Sequence, residues 1–238
     1  MDKAEVCALI TELAIIPAIR VSSAEDAHFA AEAITKGCLP IVEITMTVPG
    51  AMDLISHLIR FHPKVMVGAG TVLDIETARR CIGAGAHFIT APGFDREIVE
   101  FTAKQNVAVL PGAQTPTEVL TAWRAGGDFV KVFPCALVGG EKYIKALKTA
   151  MPQIPLIAAG GVTQQTALGL MLAGATAMGV GTDLIPVEAI ERRQAARIRE
   201  LALRFAGYVT EARARMQPVK NKSSASAKFT GTQSCEKP

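Results

Sequence analysis

Aromatic side chains are scarce in this sequence, making up 5% of it and including a single tryptophan. A core with few aromatics must be aliphatic, and buried parallel strands are typically rich in Val, Ile and Leu. Hydrophobic residues account for 50% of the chain, yet no apolar run reaches the roughly 18 residues that a membrane-spanning helix requires. The sequence therefore predicts a sizeable aliphatic core and no membrane partner.

Paired cysteines and clustered histidines are missing as well. The five cysteines form no close pair, which argues against a disulfide framework or a zinc ribbon. The four histidines show neither an H-x-H nor an H-x-x-x-H spacing, so we expect no metal. No complete G-x-G-x-x-G fingerprint points to a nucleotide cofactor, and the charged start does not resemble a signal peptide. These absences predict a cytoplasmic protein that uses neither a metal nor a cofactor.

The formal net charge of +3 is concentrated at the end of the chain. Residues 218–238 carry four lysines and one glutamate, which leaves the remainder neutral. A nucleic-acid partner requires a basic patch on the folded domain, so none is expected. The same segment is polar and cannot bury enough apolar surface to offset the entropy lost on ordering. We predict one folded domain over residues 1–216 and a disordered tail over residues 217–238.

Short apolar runs alternate with longer amphipathic ones, which predicts βα units and a parallel sheet. Eight strands in regular alternation favour a closed (β/α)8 barrel, the TIM-barrel fold, over an open doubly wound sheet. A helix over Lys3–Leu13 precedes the first strand, and a long helical region is predicted from Val187 to Met216. The predicted strands are Ile15–Val21, Ile41–Met46, Val65–Gly68, His87–Thr90, Ala108–Leu110, Phe129–Phe133, Leu156–Ala159 and Ala177–Val180.

Lys131 interrupts an otherwise apolar strand. Because side chains alternate along a strand, Val130 and Val132 should face the helices while Lys131 faces the barrel interior. Poor solvation there favours the neutral amine over the ammonium, and a neutral amine is what imine formation with a ketone requires. The structural alternative is a lysine at a strand end that extends its ammonium to water.

Two further charged residues fall in predicted strands. Glu43 shares its strand face with Thr45 and Thr47, and a carboxylate in that setting can move protons to and from a substrate hydroxyl. Glu43 could equally form a structural ion pair with a cation, including Lys131. Arg20 ends the first strand, and its guanidinium can hold a carboxylate through two parallel hydrogen bonds. An arginine at the protein surface is the alternative for Arg20.

Glycine-containing loops follow the last two predicted strands. Barrels often bind phosphate on these two loops, where backbone N–H groups converge on the anion. Gly160, Gly161 and Gly181 let bare backbone approach a phosphate, and the Thr182 hydroxyl can add a donor. After the third strand, Thr71 is expected to line the mouth of the barrel.

Six short motifs occur in the order in which one enzyme family carries them. The sequence resembles the 2-keto-3-deoxy-6-phosphogluconate (KDPG) and 4-hydroxy-2-oxoglutarate (KHG) aldolase family over about residues 5 to 212. The resemblance implies a homotrimeric barrel that cleaves 2-keto-3-deoxy-6-phospho sugar acids to pyruvate and glyceraldehyde 3-phosphate, or 4-hydroxy-2-oxoglutarate to pyruvate and glyoxylate. The motifs are Val42–Thr47, Gly68–Leu73, Ala91–Gly93, Leu110–Gly112, Val130–Pro134 and Gly160–Val162.

The resemblance also implies roles for individual residues. The Schiff-base lysine falls on Lys131 and the general acid/base carboxylate on Glu43. Thr71 and Pro92 match positions that line the pyruvate half of the pocket. The positions of the phosphate loops are matched by Gly160, Gly161, Gly181 and Thr182.

Two positions depart from the pattern of the gluconate-type members. Many of these members carry an arginine where this chain has Thr47, whereas Arg20 resembles an arginine of the galactonate-type branch. We therefore assign recognition of the keto-acid carboxylate to Arg20. The hydroxyl that often precedes the Gly-Gly loop is replaced by Ala159, which removes one phosphate donor.

Two other functions fit the same residues. One is a metal-free phosphosugar isomerase or epimerase that uses Glu43 as base and Lys131 as an electrostatic clamp. The other is a non-catalytic barrel that binds a phosphorylated metabolite. Only the aldolase forms a covalent adduct between Lys131 and pyruvate.

Overall fold

The computed structural model describes residues 1–36 and 39–216. Nine strands in these residues form one parallel sheet in the order β5-β4-β3-β2-β1-β9-β8-β7-β6. Their bounds are Ile15–Ile19 (β1), Ile41–Thr45 (β2), Met66–Gly70 (β3), Phe88–Thr90 (β4), Ala108–Leu110 (β5), Gly112–Ala113 (β6), Val130–Val132 (β7), Leu156–Ala159 (β8) and Ala177–Val180 (β9).

Pro111 explains why nine strands make an eight-membered barrel. It lacks the N–H that a continuous strand needs, so the fifth member is divided into β5 and β6, the two ends of the sheet. The Pro111 carbonyl nevertheless accepts a hydrogen bond of 2.9 Å from the Lys131 N–H. The two ends are thus joined through a single residue and the sheet closes, which confirms the predicted (β/α)8 barrel and excludes the open sheet.

The described residues also contain ten α-helices and one short 3-10 helix. Several of these helices begin with side-chain caps, including the capping box of Thr115 with Glu118. The helices are Lys3–Leu13 (α1), Ala24–Thr35 (α2), Ala51–Phe61 (α3), Ile75–Gly83 (α4), Arg96–Lys104 (α5), Pro116–Arg124 (α6), Gly140–Ala150 (α7), Ala167–Leu172 (α8), Val187–Glu191 (α9) and Ala195–Met216 (α10), with the 3-10 turn at Ala136–Val138.

The final helical region is divided, contrary to the prediction of one long helical stretch. Arg193 adopts a left-handed conformation with a φ of 52°, which ends the helical path between α9 and α10. Its guanidinium donates to Glu25 and Asp26 in the first turn of α2, at 2.7 Å each. The pairing of Arg193 with α2 stabilises this break, which no local sequence pattern predicts.

Strand β3 runs two residues further than predicted. Glycines are poor strand formers, so the sequence predicted an end at Gly68. Pairing with β2 continues the strand, because Thr45 lies opposite Gly70 in the ladder. The extension brings the Gly70 backbone beside the side chain of Glu43.

The core is aliphatic, as the composition predicted. Ile, Val and Ala side chains fill the barrel and its contact with the helices, and Phe88 and Phe205 are the largest fully buried residues. No helix among the described residues is long and apolar enough to cross a membrane. The predicted tail, residues 217–238, lies outside the described part of the chain.

Candidate active site

A cavity of about 240 Å³ opens where the strands end. In (β/α)8 barrels the carboxyl ends of the strands and the loops beyond them carry the functional groups. The cavity is lined by Ala18, Arg20, Glu43, Lys131, Phe133, Ala159, Gly160, Gly161, Val162, Thr163, Gly179, Gly181, Thr182, Asp183 and Ile185. Seven residues to which the sequence assigned a role therefore line one cavity: Arg20, Glu43, Lys131, Gly160, Gly161, Gly181 and Thr182.

Lys131 and Glu43 form a buried ion pair inside the barrel. Nζ of Lys131 lies 3.8 Å from Oε1 of Glu43, and the two residues are only 9% and 3% exposed. They come from β7 and β2, which are not neighbours in the sheet, so both side chains project across the interior as their strand positions predicted. The Lys131 amine also donates to the Thr90 hydroxyl at 3.2 Å and lies 5.5 Å from the centre of the Phe133 ring.

Arg20 sits just beyond β1, at the rim of the cavity. Its guanidinium donates to Oγ1 of Thr71 at 2.9 Å and to Oγ1 of Thr47 at 3.2 Å. Thr45 extends this cluster, with its hydroxyl 2.8 Å from that of Thr47. Arg20 is thus oriented by side chains from the ends of β2 and β3.

Thr71 has an unusual backbone, with a φ of 59°. A β-branched residue in the left-handed region is a genuine outlier, and such strain tends to be retained where the geometry serves function. Here the conformation coincides with the hydrogen bond to Arg20. Thr71 does not itself line the cavity and contacts it through Arg20.

Pro92 is a predicted site residue that lies outside this arrangement. It follows β4, is half-buried, and does not line the cavity. Its backbone packs against Gly112, where an added Cβ would lie 2.2 Å from the Pro92 carbonyl oxygen. The structure therefore gives Pro92 a packing contact beside the site.

The two predicted glycine loops form one end of the cavity. Gly160 and Gly161 have φ values of 82° and 80°, which L side chains rarely adopt. An added Cβ on Gly161 would lie 2.5 Å from Cβ of Ala136, so both conformation and space require glycine there. Gly181 and Thr182 come from the loop after β9 and line the same end. The convergence predicted for β8 and β9 is observed.

Asp183 lines this end of the cavity, and sequence reasoning missed it. Its Oδ1 accepts a hydrogen bond of 3.3 Å from the Gln164 N–H, which ties the loop after β9 to the loop after β8. Asp183 directly follows Thr182, but an aspartate in a loop after a strand carries no distinguishing signal by itself.

Thr90 and Gly70 were also missed. Thr90 is a β-branched residue at the end of a strand, where threonine is common, so its contact with Lys131 is invisible in the sequence. Gly70 belongs to a motif that was noted, but its contact with Glu43 depends on strand register.

Cys135, two residues after the cavity-lining Phe133, is another side chain that could act as a nucleophile. Burial raises the pKa of its thiol to about 11. A thiol attacks only as thiolate, so little nucleophilic sulfur is present at neutral pH. Among residues 1–36 and 39–216, no group of three or more His, Cys, Asp or Glu side chains could hold a metal ion. Among the described residues, Lys131 remains the candidate nucleophile that lines the cavity.

Comparison with known proteins identifies a family for this chain. The sequence model of the KDPG and KHG aldolase family matches residues 6–201. A 2-dehydro-3-deoxy-phosphogluconate aldolase from Pseudomonas aeruginosa is 32% identical over 200 residues, covering 84% of this chain and 90% of that protein. A 2-dehydro-3-deoxy-6-phosphogalactonate aldolase from Escherichia coli K12 is 32% identical over 176 residues, covering 73% of this chain and 85% of that protein.

A solved structure agrees with these sequences. The KDPG aldolase from Legionella pneumophila, crystallised with pyruvate captured as a covalent carbinolamine intermediate, is 30% identical to this chain with a TM-score of 0.76. The alignment covers 83% of this chain and 96% of that chain. The resemblance found in the motifs is confirmed: the chain belongs to the KDPG and KHG aldolase family.

Proposed function

We propose that this chain is a class I aldolase in which Lys131 forms a Schiff base with the ketone of a 2-keto acid. The observation that carries the proposal is an amine, 9% exposed, that faces a cavity beside a buried carboxylate. Such an amine becomes nucleophilic once it loses its proton, and Glu43 lies 3.8 Å away to accept that proton. The ion pair is thus the resting form of the catalytic pair.

Carboxylate binding is assigned to Arg20. A guanidinium has five N–H donors, and two of its nitrogens donate to Thr47 and Thr71. The remaining donors can take a substrate carboxylate at the rim, with the Thr71 hydroxyl beside it. Holding the keto acid at both its carboxylate and its ketone brings C2 within reach of Lys131 and lowers the entropic cost of attack.

The reaction then follows from the two catalytic groups. The amine lone pair of Lys131 forms a bond to C2, and the ketone oxygen takes a proton from Glu43 and, after a second protonation, leaves as water. The protonated imine withdraws electrons from the C3–C4 bond. When the Glu43 carboxylate takes the proton of the C4 hydroxyl, that bond breaks, the aldehyde leaves, and an enamine of pyruvate remains. Protonation at C3 and hydrolysis release pyruvate and free lysine.

The aldehyde half of the substrate is assigned to the glycine loops. Backbone N–H groups at Gly160, Gly161 and Gly181, with the Thr182 hydroxyl, can bind the phosphate of a phosphotriose. Ala159 supplies no donor there, so fewer protein contacts reach the phosphate than in members with a hydroxyl at that position. We therefore expect the phosphorylated substrates to be preferred over 4-hydroxy-2-oxoglutarate by a smaller margin than in those members.

Two rival functions make different demands on Lys131. An isomerase or epimerase would use its charge alone, and a sensor would bind ligand without turnover. The KDPG aldolase from Legionella pneumophila has been captured with pyruvate as a covalent carbinolamine intermediate, which favours the aldolase for this chain as well.

The test is pyruvate release from three substrates supplied side by side: 2-keto-3-deoxy-6-phosphogluconate, its galactonate epimer and 4-hydroxy-2-oxoglutarate. We expect turnover of at least one, and its loss in Lys131→Ala. Isomerised substrate without pyruvate would support the first rival. Binding of all three without any product would support the second.

A homotrimer in the cytoplasm completes the proposal. Leu73 and Leu137, both beyond the carboxyl ends of strands, are 65% and 84% exposed, and exposed apolar side chains can mark subunit contacts. The free thiols of Cys7, Cys81 and Cys135 suit a reducing compartment. Analytical ultracentrifugation tests the trimer, and a monomer at micromolar concentration would contradict it.

A further inference from the structure

The Lys131 amine has a hydrogen-bond partner to which the catalytic scheme gives no role. Oγ1 of Thr90 lies 3.2 Å from Nζ of Lys131, closer than the carboxylate oxygen of Glu43 at 3.8 Å. Thr90 is 1% exposed and ends β4, on a different part of the barrel wall from β7. In the closed sheet only the divided strand β5–β6 separates β4 from β7, so the hydroxyl reaches the amine over one intervening strand.

Thr90 itself is held firmly. Thr90 pairs with Leu110 in the ladder between β4 and β5, and the Thr90 carbonyl accepts a hydrogen bond of 3.1 Å from the Val72 N–H. A lysine side chain has four rotatable bonds and loses much rotamer entropy when fixed. The Thr90 hydroxyl, which is carried by a strand, therefore restricts the position of the flexible Lys131 amine.

The cavity is open to Lys131 but not to Thr90. Lys131 and Glu43 line the cavity, but Thr90 does not. A substrate in the cavity consequently meets the amine without meeting the Thr90 hydroxyl. An effect of Thr90 on the reaction must therefore pass through Lys131.

We propose that Thr90 is a positioning residue that aims the Lys131 amine at the substrate ketone, an inference that rests on the proposed Schiff-base function. A neutral amine has two N–H groups and one lone pair in tetrahedral directions about nitrogen, together with its bond to Cε. When one N–H donates to Thr90 and the other points to Glu43, the lone pair is left facing the cavity. The lone pair forms the bond to C2, and the ketone oxygen leaves as water after protonation.

The chain offers a matched pair of threonines for the test. Thr102 is fully buried like Thr90, but its hydroxyl has no hydrogen-bond partner among the described residues. Thr90→Val and Thr102→Val each exchange a buried hydroxyl for a methyl group of similar size. Only the first removes a contact with Lys131, so the second reports the general cost of the exchange.

The experiment mixes each variant with pyruvate, quenches with sodium borohydride at set times, and follows the adduct mass on Lys131. For Thr90→Val we expect the maximum rate of adduct formation to fall about tenfold, the effect of one hydrogen bond to a reacting group. The pyruvate concentration at half-maximal rate should stay unchanged, because Thr90 does not contact the ligand. Thr90→Ser should restore most of the rate, and Thr102→Val should match the wild type.

Other outcomes would contradict either the Schiff-base function or the role of Thr90. Wild-type protein that never forms an adduct would refute the Schiff-base function itself. A normal adduct rate in Thr90→Val, or an equal loss in both valine variants, would overturn the inference while leaving that function intact. A raised half-saturating concentration with an unchanged maximum would overturn it too, since Thr90 would then be a binding residue. If valine at 90 prevents folding, Thr90→Ala provides the same comparison.

Discussion

Glu43 depends on the absence of a side chain at Gly70. A Cβ built on Gly70 would lie 2.0 Å from Oε1 of Glu43 and 2.5 Å from its Cδ. The carboxylate of β2 therefore lies flat against the backbone of β3, within reach of Lys131. Because Glu43 also lines the cavity, a side chain at position 70 would push its carboxylate away from Gly70 and into that space.

Gly70→Ala should displace this carboxylate. We expect kcat for aldol cleavage to fall about 100-fold, the lower range for loss of a positioned acid/base group, while the barrel still folds. Gly83→Ala is the matched control, because an added Cβ at that helical glycine meets nothing within 4 Å. Steady-state pyruvate release checks both variants. Full activity in Gly70→Ala would show that the exact pose of Glu43 is unimportant.

Thr71→Gly should separate stability from binding. Glycine removes the left-handed strain, which costs about 1 kcal/mol or more for a non-glycine residue, so the free energy of unfolding in urea should rise by about that amount. The hydrogen bond to Arg20 is lost, and KM for the keto acid should increase. Thr71→Ser keeps the hydroxyl and should keep KM. A less stable Thr71→Gly variant would contradict the account of strain at this residue.

The sequence predicted the fold and the interior positions of Lys131 and Glu43 because their signals are local. A lysine among valines and a glutamate beside threonines stand out in short strands, and alternation alone assigns both to the interior. The glycines after β8 and β9 can likewise be recognised from the sequence alone. Thr90, Gly70 and Asp183 are ordinary residues for their positions, and their contacts depend on which strands and loops face each other across the barrel. The break at Arg193 likewise depends on its pairing with α2, whereas the division at Pro111 follows from the missing N–H of proline.

His87 should make the stability of the chain depend on pH. Burial lowers the pKa of its imidazole below the usual range, and the positive chain terminus acts in the same direction. Its Nδ1 also accepts a hydrogen bond of 3.1 Å from the Val67 N–H, which protonation would remove. Between the usual pKa, about 6.5, and the lower folded value, the unfolded chain binds more protons, so the free energy of unfolding falls as pH falls.

His87→Asn tests this linkage, since its amide oxygen can accept from Val67 without titrating. Urea unfolding between pH 7 and pH 5 should show that the free energy of unfolding of the wild type falls more steeply with decreasing pH than that of the variant. Parallel pH profiles for wild type and His87→Asn would rule out His87 as the source.

The covalent bond at Lys131 is the central claim, and a crystal structure of the protein soaked with pyruvate tests it most directly. We expect continuous density between Nζ of Lys131 and C2 of pyruvate, with the pyruvate carboxylate on Arg20 and the Thr90 hydroxyl still within hydrogen-bonding distance of Nζ. Pyruvate bound in the cavity without that bond, while Lys131 stays paired with Glu43, would contradict the account.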